Sequence, residues 1–417
     1  MQRTRGLVQL VTKDGRDDRL GTGGCRLEVN DPFPGGVAEL IKVALDTPPA
    51  DVLGLLGPMC QLLGARSARF YVADYALRRL QQIDRSGHVG PPELIEGMFI
   101  GRAFTSGEIL VAGTDPTVVS IPLAEGTSRI GVLQLDYDTW DGVLPTLLDP
   151  VVATFVWAWI IKNRYSDTSA RARRTERLSA AAEVQWDLLP PLSCSVDELA
   201  ISGILEPAYD IGGDSFDYAF NRTRFDFTIV DAIGRGLSAV LMSAAAINSL
   251  RNSRRAGLGL AAAYEQADLS ISTQFGDSYY VTGVIGTVDL GTGRLSWINA
   301  GHVLPMLVRN GTYAGTLTCK PSMPLGTGGP VVEVAEEPLQ RGDRVLFYTD
   351  GITESRALDR SFFGDERLAD FLVRAALEHV PVNETVRHLS DNVIHFNDGR
   401  LDDDATMLLI EWRGTSG

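Results

Sequence analysis

The stretch Phe227-Thr228-Ile229-Val230-Asp231-Ala232-Ile233-Gly234-Arg235-Gly236 decides how this chain reads. An apolar run ends on a carboxylate and reaches glycine three residues later, the pattern by which a strand delivers an acid to the rim of a β core. Three further acidic motifs stand in order around it: Gly212-Gly213-Asp214, Asp350-Gly351 directly after Phe347-Tyr348-Thr349, and Asp403-Asp404-Ala405-Thr406. Strand-like runs adjoin the last two as well, at Val345–Tyr348 and Met407–Ile410. Carboxylates at strand ends beside glycine can converge on one rim and hold hard divalent cations by oxygen ligation. Asn299-Ala300-Gly301-His302 lies between them. Taken together, the motifs read as a metal-dependent hydrolase.

Outward from this stretch, the chain beyond Ala200 shows short β-rich runs bounded by Gly, Asp and Asn: Phe225–Val230, Val281–Val288, Arg294–Asn299, Leu304–Val308 and Arg344–Tyr348. Helical stretches at Leu237–Leu250 and Leu258–Phe275 interrupt them, and two more, Glu366–Leu377 and Val382–Asn397, precede a last strand at Thr406–Trp412. That order predicts a β-sandwich flanked by helices. Upstream, Lys162–Leu189 is charged, Ala-rich and free of Gly and Pro until Pro190-Pro191. Leu178, Ala182, Gln185 and Leu189 share one helical face, so the segment reads as a helix. It either couples two domains and pairs with its copy in a homodimer, or is a plain linker.

Before that helix, apolar residues recur at helical spacing over Val37–Leu63. Strand patterns follow at Ala68–Ala73, Leu77–Ile83, Val118–Leu123 and Ile130–Tyr137, with a helix cap and turn at Gly101–Leu110. This is an α+β unit closing with a helix near Ile161. Residues 1–30 are polar, Gly-rich and aperiodic, which predicts a flexible arm.

The 417 residues exceed what one core usually serves, and 44% hydrophobic content suffices for two. A net charge of −15 argues against nucleic acid or an anionic membrane as partner, since both need a basic face. Cys25, Cys60, Cys194 and Cys319 show no ligand or framework spacing and read as reduced thiols in a cytoplasmic protein. The most apolar run, Val151–Ile161, falls short of the roughly 20 residues of a membrane span. It reads as the buried side of a helix, with Trp157 and Trp159 in the core. Lysine occurs only as Lys13, Lys42, Lys162 and Lys320, a usage that fits a GC-rich bacterial genome.

Two family resemblances arise from these residues. Gly101-Arg102-Ala103-Phe104-Thr105-Ser106-Gly107-Glu108, Val119–Leu123 and Arg129–Leu135 resemble a GAF domain, which implies a sensor of a small-molecule or protein signal. Glu206–Asp217 resembles the first motif of PPM (PP2C-type) serine/threonine phosphatases of the bacterial stage-II-sporulation-E and stress-regulator group, and Asp231–Ala239 the second. Asn299–His302, Pro324-Leu325-Gly326, Gly342–Glu354 and Asp403–Thr406 complete the series over residues 190–412. Ala232, Ile233 and Arg235 depart from that pattern, which commonly has Val, Ser and Lys there; Arg235 bears on substrate contact. Val184–Pro191 is similar to the regulatory helix that enters such a domain.

The resemblance implies a GAF-like α+β domain (31–161), a regulatory linker helix (162–191) and a PP2C-like α/β/β/α sandwich (192–417). It implies two Mn²⁺ or Mg²⁺, with Asp231 bridging both, Asp214 and the Ala232 carbonyl on one, and Asp350 and Asp403 on the other. Asp404 is the alternative to Asp403, because Asp402-Asp403-Asp404 leaves the register open by one. Phosphate monoesters are inert, and a metal-bound hydroxide is the nucleophile such ions make available near neutral pH. The expected substrate is phosphoserine or phosphothreonine on a regulatory protein, a STAS-type anti-anti-sigma factor. A pseudophosphatase that binds without turnover and a hydrolase of a phosphorylated metabolite are the competing readings. His302 is expected to brace a turn, and Asp217 and Asp343 to serve structure.

Overall fold

The computed structural model describes residues 36–113, 116–210, 212–276, 278–329, 332–399, 401 and 403–415. The flexible arm expected at residues 1–30 lies outside them. The chain divides into two compact units, one of Met1–Glu125 with Arg129–Thr175 and one of Gly126–Ser128 with Glu176–Gly417.

The first unit begins with α1 (Gly36–Asp46), a 3₁₀ turn (Pro49–Leu55) and α2 (Leu56–Leu63). Pro48 and Pro49 break the one apolar run into these pieces, since proline cannot continue a helix from within. Strands β1 (Ser67–Ala73), β2 (Arg79–Ile83) and β3 (Val89–Leu94) follow, then α3 (Phe99–Ser106), β4 (Leu110–Ala112), β5 (Thr117–Glu125), β6 (Ser128–Tyr137), α4 (Leu148–Asn163) and α5 (Thr168–Arg173). They form a six-stranded sheet in the order β3-β2-β1-β6-β5-β4. Alternation along β1 sends Phe70 and Val72 into a core with Leu40, Met59, Phe155 and Trp159. Tyr71 and Ala73 face the opposite way, onto Ile100 and Phe104 of α3. β3 carries Pro91 and Pro92 and sits at the sheet edge, where missing N–H groups cost nothing. Trp159 is buried as expected, but Trp157 is 69% exposed. The two are separated by about 200° on a helix, so both cannot enter one core.

The expected single helix over Lys162–Leu189 is interrupted. α4 ends at Asn163, α5 ends at Arg173, and α6 (Ala180–Leu188) starts afresh behind Ser179, whose side chain accepts the Ala182 N–H. Leu178, Ala182, Trp186 and Leu189 pack into the second unit's core. A helix whose apolar stripe is used in this way stops being a free rod.

The second unit continues with β7 (Ser193–Ser195), β8 (Leu199–Glu206), β9 (Asp214–Phe220), β10 (Arg224–Ala232), α7 (Leu237–Arg255), α8 (Leu260–Phe275), β11 (Val281–Asp289), β12 (Arg294–Ala300), β13 (Met306–Arg309) and β14 (Thr312–Thr316). It closes with β15 (Ala335–Pro338), β16 (Arg344–Tyr348), α9 (Asp350–Thr353), α10 (Gly364–Leu377), α11 (Val382–Phe396) and β17 (Ala405–Trp412). Two antiparallel sheets result, β15-β12-β11-β10-β9 and β14-β13-β16-β17-β8-β7. Phe216, Phe225, Phe227 and Ile229 of one sheet meet Ile201, Phe347, Leu408 and Ile410 of the other. The Phe227 and Phe347 rings stand 4.5 Å apart across the gap. On the outer faces, α7 and α8 cover Val230, Ile285 and Ile298, while α10 and α11 cover Ile204, Leu346 and Leu409. The architecture is the α/β/β/α sandwich that the strand and helix order predicts. No helix among the described residues is long and apolar enough to cross a membrane.

Candidate active site

Period-two alternation places the acids. Phe225, Phe227 and Ile229 face the sandwich interior, so Asp231, two residues on, takes the same face where β10 runs out. The same parity carries Asp214 at the start of β9 ahead of Phe216, and Asp404 with Thr406 ahead of Leu408 in β17. Register sets Asp214 directly opposite Asp231. Beyond Phe347, Thr349 falls on that face too, and its hydroxyl donates to Asp214 Oδ2 at 2.7 Å. Asp350 then opens α9. The mouth between the two sheets therefore collects acids from four strand ends.

Backbone packs tightly beneath this mouth. A Cβ at Gly351 would stand 1.7 Å from the Asp404 carbonyl oxygen, and one at Gly213 would stand 2.2 Å from that of Ala232. Neither glycine has positive φ, so close approach and not turn conformation requires them. Gly234 and Gly236 are the reverse case, at φ 99° and 72° in the loop that leads into α7.

Asp231, Asp350, Asp403 and Asp404 line one pocket of about 280 Å³ together with Ala232, Gly213, Thr282 and His302. Asp214 lies behind it, 2% exposed, and its own N–H approaches Asp404 Oδ2 at 3.4 Å. Burial first, then Asp231 and Asp404, push the Asp214 carboxyl well above the usual carboxylate range. Asp231 is raised to about 7 by burial and by Asp350, Asp403 and Asp404. Asp404 rises to about 6, chiefly through burial. Carboxyl groups that crowd one another in this way are stabilised as anions by a nearby cation. The carboxylates supply oxygen donors, no cysteine lines the pocket and its one histidine, His302, is turned to Thr282 through Nδ1, so the set fits Mg²⁺ or Mn²⁺. Among the described residues, no three Asp, Glu, His or Cys groups already stand close enough to enclose one ion. Asp350 and Asp403 are the exposed members of this set.

His302 braces a turn. Asn299 Oδ1 accepts the His302 N–H at 2.6 Å, and Asn299 Nδ2 donates to the His302 carbonyl at 2.9 Å. Its Nδ1 lies 3.0 Å from Thr282 Oγ1, and burial lowers its pKa to about 4, so the ring is neutral. Asp217 is clasped by Arg251 and Arg254 at 2.7 and 2.9 Å, and Asp343 by Arg309 at 2.6 Å. All three serve structure. Sequence reasoning gave no role to Thr349 or to Gln185, which is fully buried and donates through Nε2 to the Asp214 carbonyl oxygen. Thr349 does follow a strand run beside an acid, and that position is the one signal available for it.

A helix-flanked sandwich with aspartates gathered at its inter-sheet mouth is a PP2C-type phosphatase domain. Residues 221–413 match the Stage II sporulation protein E (SpoIIE) family, and the second unit carries a domain of that family. Over 271 residues, 56% of this chain, it is 23% identical to Protein IcfG of Synechocystis sp., of which the match covers 41%. Over 243 residues, again 56% of this chain, it is 21% identical to Phosphoserine phosphatase RsbU of Bacillus subtilis, of which the match covers 69%. The chain thus spans less than half the length of IcfG. Among solved structures, the RsbU and RsbW domains of Rv1364c from Mycobacterium tuberculosis align with a TM-score of 0.46 at 25% identity, covering 54% of this chain and 63% of that one.

Proposed function

We propose that this chain is a cytoplasmic bacterial signalling phosphatase that removes phosphate from phosphoserine or phosphothreonine of a regulatory protein. A STAS-type anti-anti-sigma factor is the substrate this reading favours. Asp214, Asp231, Asp350, Asp403 and the Ala232 carbonyl hold two Mn²⁺ or Mg²⁺. The gathering of Asp231, Asp350 and Asp403 on one pocket, within a domain of the SpoIIE family, carries the reading.

When bound, divalent cations supply positive charge to phosphoryl oxygens and lower the pKa of water. The chain's own residues prepare for them. Asp231, at the end of an interior-facing strand, reaches toward both Asp214 and the outer acids. Thr349 fixes one oxygen of Asp214, and Gln185 holds its main chain from behind. Asp404 turns an oxygen inward to the Asp214 N–H, whereas Asp403 is exposed at the mouth, which favours Asp403 as the ligand. Neutral His302 keeps the 299–303 turn in place without adding charge. A pocket of about 280 Å³ accepts a phosphorylated side chain while the body of its protein stays outside.

The first unit serves this reading as a GAF-like sensor of a small-molecule or protein signal, its helices packed on a six-stranded sheet. The protein acts as a homodimer. Because the apolar stripe of α6 is used internally, the exposed Ile41 and Leu45 of α1 and Trp157 and Ile161 of α4 are the side chains that pairing would cover.

Phosphatase activity of the full chain on a phosphoserine STAS protein and on a generic phosphoester, with Mn²⁺ and with EDTA, tests the function. Turnover that needs Mn²⁺ and disappears in Asp350→Ala supports it. Metal-independent turnover, or none with the phosphoprotein still bound, rejects it.

A further inference from the structure

A second cavity, of about 250 Å³, opens on the outer face of the sheet that carries Asp231. It shares no described lining residue with the acidic pocket. Phe225, Phe227 and Ile229 face the sandwich interior, so alternation turns Arg224, Asp226 and Thr228 outward on the same strand. Further along that outer face, Val230, Ile285 and Ile298 are apolar and lie beneath α7 and α8. The cavity forms where this apolar cover gives out, beside the turn at residues 256–259 that joins the two helices.

Its lining divides into an apolar part and a cationic end. Leu250, Leu258, Ala263 and Val334 supply the first, and Leu258 and Val334 stay more than a third exposed. At the other end, Thr228 is 4% exposed and has no side-chain hydrogen-bond partner among the described residues. A buried hydroxyl left in that state is costly, so its position calls for a ligand or water. Register sets Thr228 directly opposite Asp217 of β9. Arg251 and Arg254 hold that single carboxylate at 2.7 and 2.9 Å, which leaves one positive charge in surplus. Arg251 also donates to the Leu188 carbonyl at 2.7 Å. Arg254 instead lines the cavity and has no second side-chain partner among the described residues. The other charged lining residues, Arg224 and Asp226, pair with each other at 3.0 Å.

We propose that this cavity is a binding site for a small organic anion, a monocarboxylate on a compact apolar body. The carboxylate meets Arg254 and the Thr228 hydroxyl, and the body lies against Leu250, Leu258 and Ile285. A guanidinium matches a carboxylate with two parallel N–H groups, and one surplus charge suits a monoanion better than a phosphate dianion. An apolar cavity of about 150 Å³ suffices for benzene, so the larger volume here takes a ring that bears a carboxylate.

The test titrates the full chain, in metal-free buffer, with benzoate and with benzamide, which has the same outline without the charge. Benzoate should bind in the millimolar range and about tenfold more tightly than benzamide by calorimetry. Arg254→Gln should abolish that preference, while Arg251 still holds Asp217. Thr228→Val keeps the shape of the side chain and should weaken benzoate about three- to tenfold. Absence of benzoate binding in the millimolar range overturns the proposal, as does equal binding of the two probes. A benzoate affinity that neither variant changes overturns it too, since the anion would then sit elsewhere on the protein. No phosphatase turnover enters these readouts, so their failure and that of the proposed function are distinguishable.

Discussion

The floor and the rim of this site are built on different terms. Asp214, Thr349, Asp404 and Thr406 form the floor, each under a tenth exposed, with main-chain contacts too close to admit a single methyl group at Gly213 or Gly351. Asp350, Asp403 and Arg235 form the rim, and all three are exposed. Folding fixes the floor. Precision is therefore spent where the sheets meet, and adaptability is left to side chains at the opening.

Variants can break or sharpen that contrast. Asp231 spans both halves, so Asp231→Asn should lower turnover about a thousandfold or more. The same change removes a crowded carboxyl and should raise the melting temperature of the metal-free protein by about 2–4 °C, checked by calorimetry with EDTA. A lower melting temperature would show that the acids of this site do not oppose folding. Next in size, Gly351→Ala forces a Cβ into the Asp404 carbonyl and should cost about 3 kcal/mol of stability, read from urea unfolding. At the rim, Asp403→Asn should lower turnover about a hundredfold with unfolding unchanged, whereas Asp404→Asn should stay within about tenfold. Reversal of those two would move the ligand from rim to floor. Smallest, Thr349→Val leaves an Asp214 oxygen without its donor and should cost about 1–2 kcal/mol in stability.

Much of this was readable in the sequence, for reasons that also explain what was not. β10, β11, β16 and β17 are short, largely apolar runs bounded by Gly, Asp or Asn and buried along most of their length, so run length and punctuation agree with the fold. Asp214, Asp231 and Asp350 stand out because each lies at a strand end, the first and last directly beside glycine and Asp231 three residues before Gly234. The partnership of Thr349 with Asp214 does not, because it joins residues 135 apart and leaves no local pattern. Gln185 looked like one more position on a helical face. Its meeting with the Asp214 carbonyl depends on α6 docking against the sandwich. That docking is also why the long Ala- and Arg-rich segment breaks at Arg174–Ser179: the Ser179 N–H pairs with the Tyr209 carbonyl, and Ser179 caps a new helix. Composition showed no breaker there, because the breaker is tertiary. Hydrophobicity alone sends both Trp157 and Trp159 to the core, and helical geometry admits one of them.

The contact between Gly351 and the carbonyl of Asp404 also constrains how this protein can change over generations. A larger residue at 351 becomes tolerable only after the main chain at Asp404 has moved, so replacement of this glycine should be found together with changes in the strand that follows Asp404.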